Sequence, residues 1–359
     1  MYNLFYDCII RENLHFFSVT GAPLSRVFHK YSPLASGASV FADHYVFFPC
    51  FFAETARVIA GVSIMASNLS IMAIQNRYIT VGGHRHRYVD TGGHGPAMLL
   101  IHGISSSLDF YRLTIPLLAG SFRVLALDLL GFGQSDKPKD KPYSLQLYAD
   151  LIHEFLTKTD AAGHGPVYGT GHSMGGKYLL ATALTYPGTF DKLVLSNTDG
   201  FITLPSFARV LSLPGVRHIL KQVVTRENIA KKMYASAFHN IAAIDTDTRM
   251  KILDVARDPD AFDTVMGLNR NLLKLDLKRT GLRSRLHELK LPVLVIWGDR
   301  DRYMSPKYAQ IVKQELPCAK LVIFSECGHS PMLEYPSLFS AAITEFIFQE
   351  SPSADGICS

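Results

Sequence analysis

The chain has 359 residues, 36 Lys and Arg against 31 Asp and Glu, 48% hydrophobic residues and five cysteines. That length and apolar fraction can build one large or two medium cores, which excludes a globally disordered chain, a collagen-like repeat and a small disulfide scaffold. A net charge of +5 is too mild for a nucleic-acid partner, because phosphate contacts need dense Lys and Arg clusters.

The first 76 residues stand apart, with only eight charged residues but 13 of the 39 aromatic ones. The start, Met-Tyr-Asn-Leu-Phe-Tyr-Asp, has no basic n-region and no clean apolar stretch, so it does not read as a signal peptide. Residues 45–65 are long enough to span a bilayer, but they contain Pro49, Glu54 and Arg57. Each central charge costs about 2.5–3.5 kcal/mol on insertion. Residues 1–76 are therefore expected to be a poorly ordered or dispensable extension, with Met65 or Met72 as alternative starts. Membrane association through it is a secondary reading, and a cytoplasmic location is expected. Cys8, Cys50, Cys318, Cys327 and Cys358 show no C-x-x-C and no metal-ligand spacing, so reduced thiols and no metal site are expected.

From residue 77 the pattern becomes regular. Arg77–Val81 and Arg85–Val89 flank Gly82-Gly83-His84 and read as a hairpin. Ala97–Ile101, apolar throughout, fits a buried parallel strand, and Phe122–Leu127 repeats it. Ser144 caps a helical spacing of Leu145, Tyr148, Leu151, Ile152 and Phe155. Pro166–Thr170 reads as a strand, Lys177–Tyr186 as a helix, and Leu193–Leu195 and Pro292–Trp297 as strands. Ser305-Pro306 opens a helix to Gln314. Leu321–Phe324 is the last strand and Leu338–Phe348 the last helix. Alternation of this kind indicates an α/β fold with a mostly parallel, doubly wound sheet. Residues 201–290 break it with helical patterns only: Ser206–Leu213, Val216–Val224, Glu227–Ala237, Thr248–Arg257 and Asp260–Leu275. They are expected to form a helical cap inserted into a core of residues 77–200 and 291–350, followed by a tail, 351–359. The cap holds 16 Lys and Arg against nine Asp and Glu.

Gly171-His172-Ser173-Met174-Gly175-Gly176 falls where a strand ends and a helix begins. This is G-x-S-x-G in the context its geometry requires, a sharp turn that exposes the serine hydroxyl. A serine needs a base, and His329, in Cys327-Gly328-His329-Ser330 after the last strand, is placed for it. The base needs an acid to fix its tautomer. Asp301 is favoured, three residues beyond Gly298, with Asp299 and Asp199 as alternatives. The oxyanion needs two backbone donors: the N–H of Met174 and, from the loop after Ala97–Ile101, that of Ile104 or Ser105.

Four motifs in order carry a resemblance: His102-Gly103; Asp128-Leu-Leu-Gly131-Phe-Gly133-Gln-Ser135; Gly171-His-Ser-Met-Gly-Gly176; and Gly298-x-x-Asp301 followed by Gly328-His329. On them, residues 79–348 resemble the α/β-hydrolase fold superfamily and its capped members. The resemblance implies an eight-stranded sheet, a catalytic triad and no cofactor. Haloalkane dehalogenases and epoxide hydrolases place a similar cap but use an Asp nucleophile, where this chain has Ser173. Carbon–carbon bond hydrolases of aromatic degradation share G-x-S-M-G-G. Many of these carry an Asn after the His-Gly loop and a Trp in the cap; this chain has Leu108-Asp109-Phe110-Tyr111-Arg112 there, and its one Trp is Trp297. The reading taken is a carboxylic ester hydrolase acting on a small-molecule ester, with carbon–carbon hydrolysis or non-catalytic ligand binding as alternatives. Phe207, Leu211, Met233, Phe238, Phe262 and Met266 are candidates for the substrate pocket.

Overall fold

Five-residue apolar runs can be buried on both sides only in the middle of a layered sheet. In Ala97–Ile101 every residue is buried, with Met98 and Leu100 in one hydrophobic cluster and Ala97, Leu99 and Ile101 in the other. The computed structural model describes residues 75–202 and 206–349, without the side chains of 164 and 206–208. The expectations for residues 1–74 and for the tail lie outside the described residues.

Eight strands form one sheet in the order β1-β2-β4-β3-β5-β6-β7-β8. They are β1 (Arg77–Val81), β2 (His84–Asp90), β3 (Ala97–Ile101), β4 (Arg123–Leu127), β5 (Val167–His172), β6 (Lys192–Ser196), β7 (Val293–Gly298) and β8 (Ala319–Phe324). β2 runs antiparallel to β1 and β4, and every other pairing is parallel. Parallel strands need crossovers, and helices supply them. Leu145–Lys158 is α1, capped by the Ser144 hydroxyl, which accepts from the Leu147 N–H. Met174–Thr185 is α2, buried along nearly its whole length.

Between β6 and β7 the described residues hold no strand. They form a 3-10 helix, Ser206–Ser212, then α3 (Pro214–Val224), α4 (Glu227–Ala235), α5 (Thr246–Arg257) and α6 (Pro259–Arg270). This is the cap. The expected helix Asp260–Leu275 ends at Arg270 and restarts as a 3-10 turn, Leu272–Lys274. The cause is Asn271, whose side-chain amide donates to the Gly267 carbonyl and competes with the next helical turn. After β7 come α7 (Lys307–Glu315) and, after β8, α8 (Pro336–Phe348). The Ser305 hydroxyl does not cap α7; Pro306 occupies that position and Ser305 contributes only its carbonyl, to the Tyr308 N–H. The expectation of five reduced thiols is also corrected: Cys318 is disulfide-bonded, whereas Cys327 is free and buried.

Candidate active site

β5 delivers the chain into a turn that only a restricted set of residues can make. Ser173 has φ 52° and ψ −118°, a sparsely populated conformation for a residue with a side chain, and α2 starts at the next residue. Neighbouring strands hold this strained turn. The Ser173 N–H donates to the Ser196 carbonyl, and the Ser173 carbonyl accepts from Gly176 and Asp199. A β-carbon on Gly171 would lie 2.6 Å from the Gly176 backbone, and one on Gly175 would strike the carbonyls of Ile101 and His102. The glycines are there because two backbones meet.

The loop after β7 brings Asp301 to His329, whose Nδ1 lies 2.7 Å from Asp301 Oδ2. A carboxylate only accepts, so Nδ1 carries the proton and Nε2 is the nitrogen left for chemistry. Asp301 Oδ2 also accepts from the Asn197 amide at 2.7 Å, and Oδ1 from the N–H groups of Tyr303 and Met304 at 2.8 and 2.9 Å. Burial works to raise this carboxyl, but the His329 charge and these donors outweigh it and hold it below the usual carboxylate value. The alternatives are engaged elsewhere. Asp299 accepts from the Cys327 N–H and pairs with Arg300, which braces the loop; Asp199 is held by Lys177 at 2.5 Å.

Three residues around the pair escape sequence reasoning. His172, the residue before the serine, reaches the loop that bears His329. Its Nε2–H donates to the His329 carbonyl at 2.7 Å, with the two rings 4.7 Å apart. Burial, and then the neighbouring His329 charge, press its pKa down to about 3, so it stays neutral. Asn197, left-handed at φ 46°, orients Asp301. Glu334 accepts from the N–H of Gly328 and, from the cap, those of His239 and Asn240. Burial raises its carboxyl above the usual value. The His329 N–H meanwhile donates to the cap carbonyl of Ala237 at 2.7 Å. The loop bearing the histidine is thus stitched to the cap. The next-door Cys327 thiol is fully buried, which pushes its pKa well up.

On the other side of Ser173 runs the loop after β3. A β-carbon on Gly103 would lie 3.1 Å from Ser173 Cβ, which places Ile104 and Ser105 beside the nucleophile; Ser105 has φ 50°. A buried ion pair anchors the loop further on. Asp128, fully buried, takes Arg87 Nε at 2.6 Å, and its two oxygens also accept from the N–H groups of Leu108 and Gln134. Burial opposes the Arg87 charge, but Asp128 and Asp109 hold the guanidinium above its usual value.

Between the loop after β3 and the helices of the insertion lies an apolar cavity of about 80 Å³, which Ser173 and His329 do not line. Ile104, Ser105, Leu211, Met233, Phe262 and Met266 line it, together with Val224 and Asn269. Four of the six candidate pocket residues are therefore brought together here. The Phe207 side chain lies outside the described residues. Phe238 is not among the residues lining this cavity; it packs against Tyr234, ring centroids 4.7 Å apart, in a buried hydrophobic cluster. Among the described residues no group of three or more His, Cys, Asp or Glu side chains could hold a metal ion, and no helix is long and apolar enough to cross a membrane.

Known proteins are similar to this chain in sequence and in fold. Lipase 3 of Moraxella sp. is 27% identical over 243 residues, covering 67% of this chain and 73% of its own length. The 2-hydroxy-6-oxononadienedioate/2-hydroxy-6-oxononatrienedioate hydrolase of Cupriavidus pinatubonensis is 29% identical over 251 residues, 68% of this chain and 83% of its own. Among solved structures, a putative lipase from Acinetobacter baumannii superposes with a TM-score of 0.66 at 22% identity, over 80% of this chain and 95% of its own. The last likeness is one of fold alone. The sequence match to the family runs over residues 96–336, from the start of β3 through the His329 loop, and by it the chain belongs to the alpha/beta hydrolase fold family.

Proposed function

We propose that this hydrolase cleaves neutral carboxylic esters through an acyl-enzyme on Ser173. One observation carries the reading: a serine held at φ 52° shares the sheet edge with a histidine whose Nδ1–H is committed to Asp301. In the proposed cycle Ser173 Oγ bonds to the ester carbonyl carbon while His329 Nε2 takes its proton. Asp301 stays ionised and stabilises the imidazolium. The N–H groups of Ile104 and Met174 hold the oxyanion, and losing one such donor should cost about 2.7–4 kcal/mol. His329 then protonates the departing alcohol. Water, deprotonated by the same nitrogen, attacks the acyl carbon and releases the acid.

The likeness to a lipase supports an ester substrate, and the likeness to a dioate hydrolase supports carbon–carbon cleavage as the second reading. The cavity lining supports the first, because among the described residues it contains no Lys or Arg to meet a dicarboxylate. A p-nitrophenyl ester panel of increasing acyl length, run on the wild type and on Ser173→Ala, tests this. Turnover of short and medium esters that vanishes in the variant is expected. Turnover of vinylogous diketones with negligible ester hydrolysis would move the assignment to carbon–carbon bonds. Failure of a fluorophosphonate to label Ser173 would leave only ligand binding.

A further inference from the structure

The outer surface of the cap has a composition that neither the fold nor the proposed chemistry requires. Val210, Leu213, Val216 and Ile219 are 50%, 53%, 36% and 52% exposed. They account for four of the eleven large hydrophobic side chains exposed in the described residues, and they fall within ten positions of sequence. In α3 the spacing of Val216, Ile219 and Val223 puts them on one helical face, while Val224 is buried on another. Exposed large apolar side chains gathered so closely along the chain mark a place where something binds.

Its surroundings are basic. Residues 209–232 contain six Lys and Arg and one acid, Glu227. Lys221 is paired with Asp263 of α6, and Lys231 with Glu227. Arg209, Arg217 and Arg226 form no ion pair among the described residues, and Arg209 and Arg226 are exposed. An amphipathic helix with an apolar face and unpaired cations beside it has the composition of an interfacial helix, which sinks its apolar side chains below lipid headgroups and meets anionic ones with its cations.

The same two elements form the roof of the cavity. Leu211 and Val224 line it from below, while Val210, Leu213, Val216 and Ile219 face outward on the other side. One layer of chain separates the apolar outer surface from the apolar interior. We propose that residues 209–213 and α3 dock the cap on an anionic lipid surface, so that, on the hydrolase reading above, substrate is drawn from a lipid phase. The proposal stands on the surface itself and is read separately from ester turnover.

The test is co-sedimentation of the full chain with vesicles of phosphatidylcholine alone and with about one quarter phosphatidylglycerol. Binding to the anionic vesicles alone is expected, and it should be lost as salt rises from about 0.05 to 0.5 M. Leu213→Ser combined with Ile219→Ser should weaken binding at least about tenfold. Arg217→Gln and Arg226→Gln should each weaken it about fivefold. None of these four residues lines the cavity, so hydrolysis of p-nitrophenyl butyrate in solution should not change, which also shows that the variants fold. No binding by the wild type, or binding that survives the serine variant, would overturn the proposal. So would loss in that variant of a concentration-dependent dimer, which would give the face to a second copy of the chain. Vesicle binding without ester turnover would instead keep this surface and sink the hydrolase reading.

Discussion

His329 can act as a base only in the tautomer that leaves Nε2 free; one neighbour fixes that tautomer and two others fix the backbone that carries the ring. Asp301 holds Nδ1–H, His172 holds the carbonyl, and Ala237 of the cap holds the N–H. Asp301→Asn should therefore lower kcat by roughly 10⁴-fold with little change in KM, because an amide can present its N–H₂ to Nδ1 and select the wrong tautomer. The pH dependence of stability checks the same carboxyl. Its value is depressed on folding, so its contribution is present above the unfolded value of about 3.9 and is lost as pH falls through the folded one. Urea unfolding of the wild type should lose stability over that acid window more steeply than Asp301→Asn does; equal slopes would mean that the carboxylate is not held as described. The placement of Ser173, Asp301 and His329 just after strands is legible in the sequence because each lies in a short Gly-containing motif. The roles of Asn197 and Glu334 are not, because their partners come from segments that only the folded sheet and cap bring together.

At the scale of elements, strands proved more legible than helix ends. Buried parallel strands announce themselves as unbroken apolar runs, and every expected strand lies within two residues of its observed bounds. Helix ends depend on single side chains competing for backbone groups, as Asn271 does at α6, and periodicity does not register them. The pair of Arg87 and Asp128 ties β2, the end of β4 and the loop after β3 into one unit. Asp128→Asn leaves the buried guanidinium with only the part-buried Asp109 as countercharge, and should lower the unfolding free energy by about 3 kcal/mol, the lower end for a broken buried pair, measured by urea denaturation. Activity should fall further than occupancy of the folded state explains, because one of the two accepting oxygens becomes an N–H₂ group, so that either the Leu108 or the Gln134 N–H loses its acceptor and the anchor of the Ile104 loop is weakened. A loss of less than about 1 kcal/mol would show that the loop is held by other contacts.

For the whole molecule, the mild net charge conceals a division of labour. The cap alone carries +7 by sequence, and the sheet edge beneath it carries the proposed chemistry. Cap and core do not meet merely at a surface. The carboxylate of Glu334 gathers amides from both, and Gly328 packs directly against the backbone of Ala237 and His239. Moving the cap therefore means disturbing the loop that bears the histidine. The free thiol of Cys327 gives that coupling a clock. Shut in beside Gly328 with its pKa raised by burial, it should resist alkylation in the native protein and react only when the loop swings out. Mass mapping of Cys327 alkylation at low urea should give an opening free energy below that of global unfolding, and a ligand that seals the cap should slow the reaction. If the thiol reacts only as fast as the entire sheet unfolds, the histidine loop is part of the rigid body, and substrate must enter without moving it.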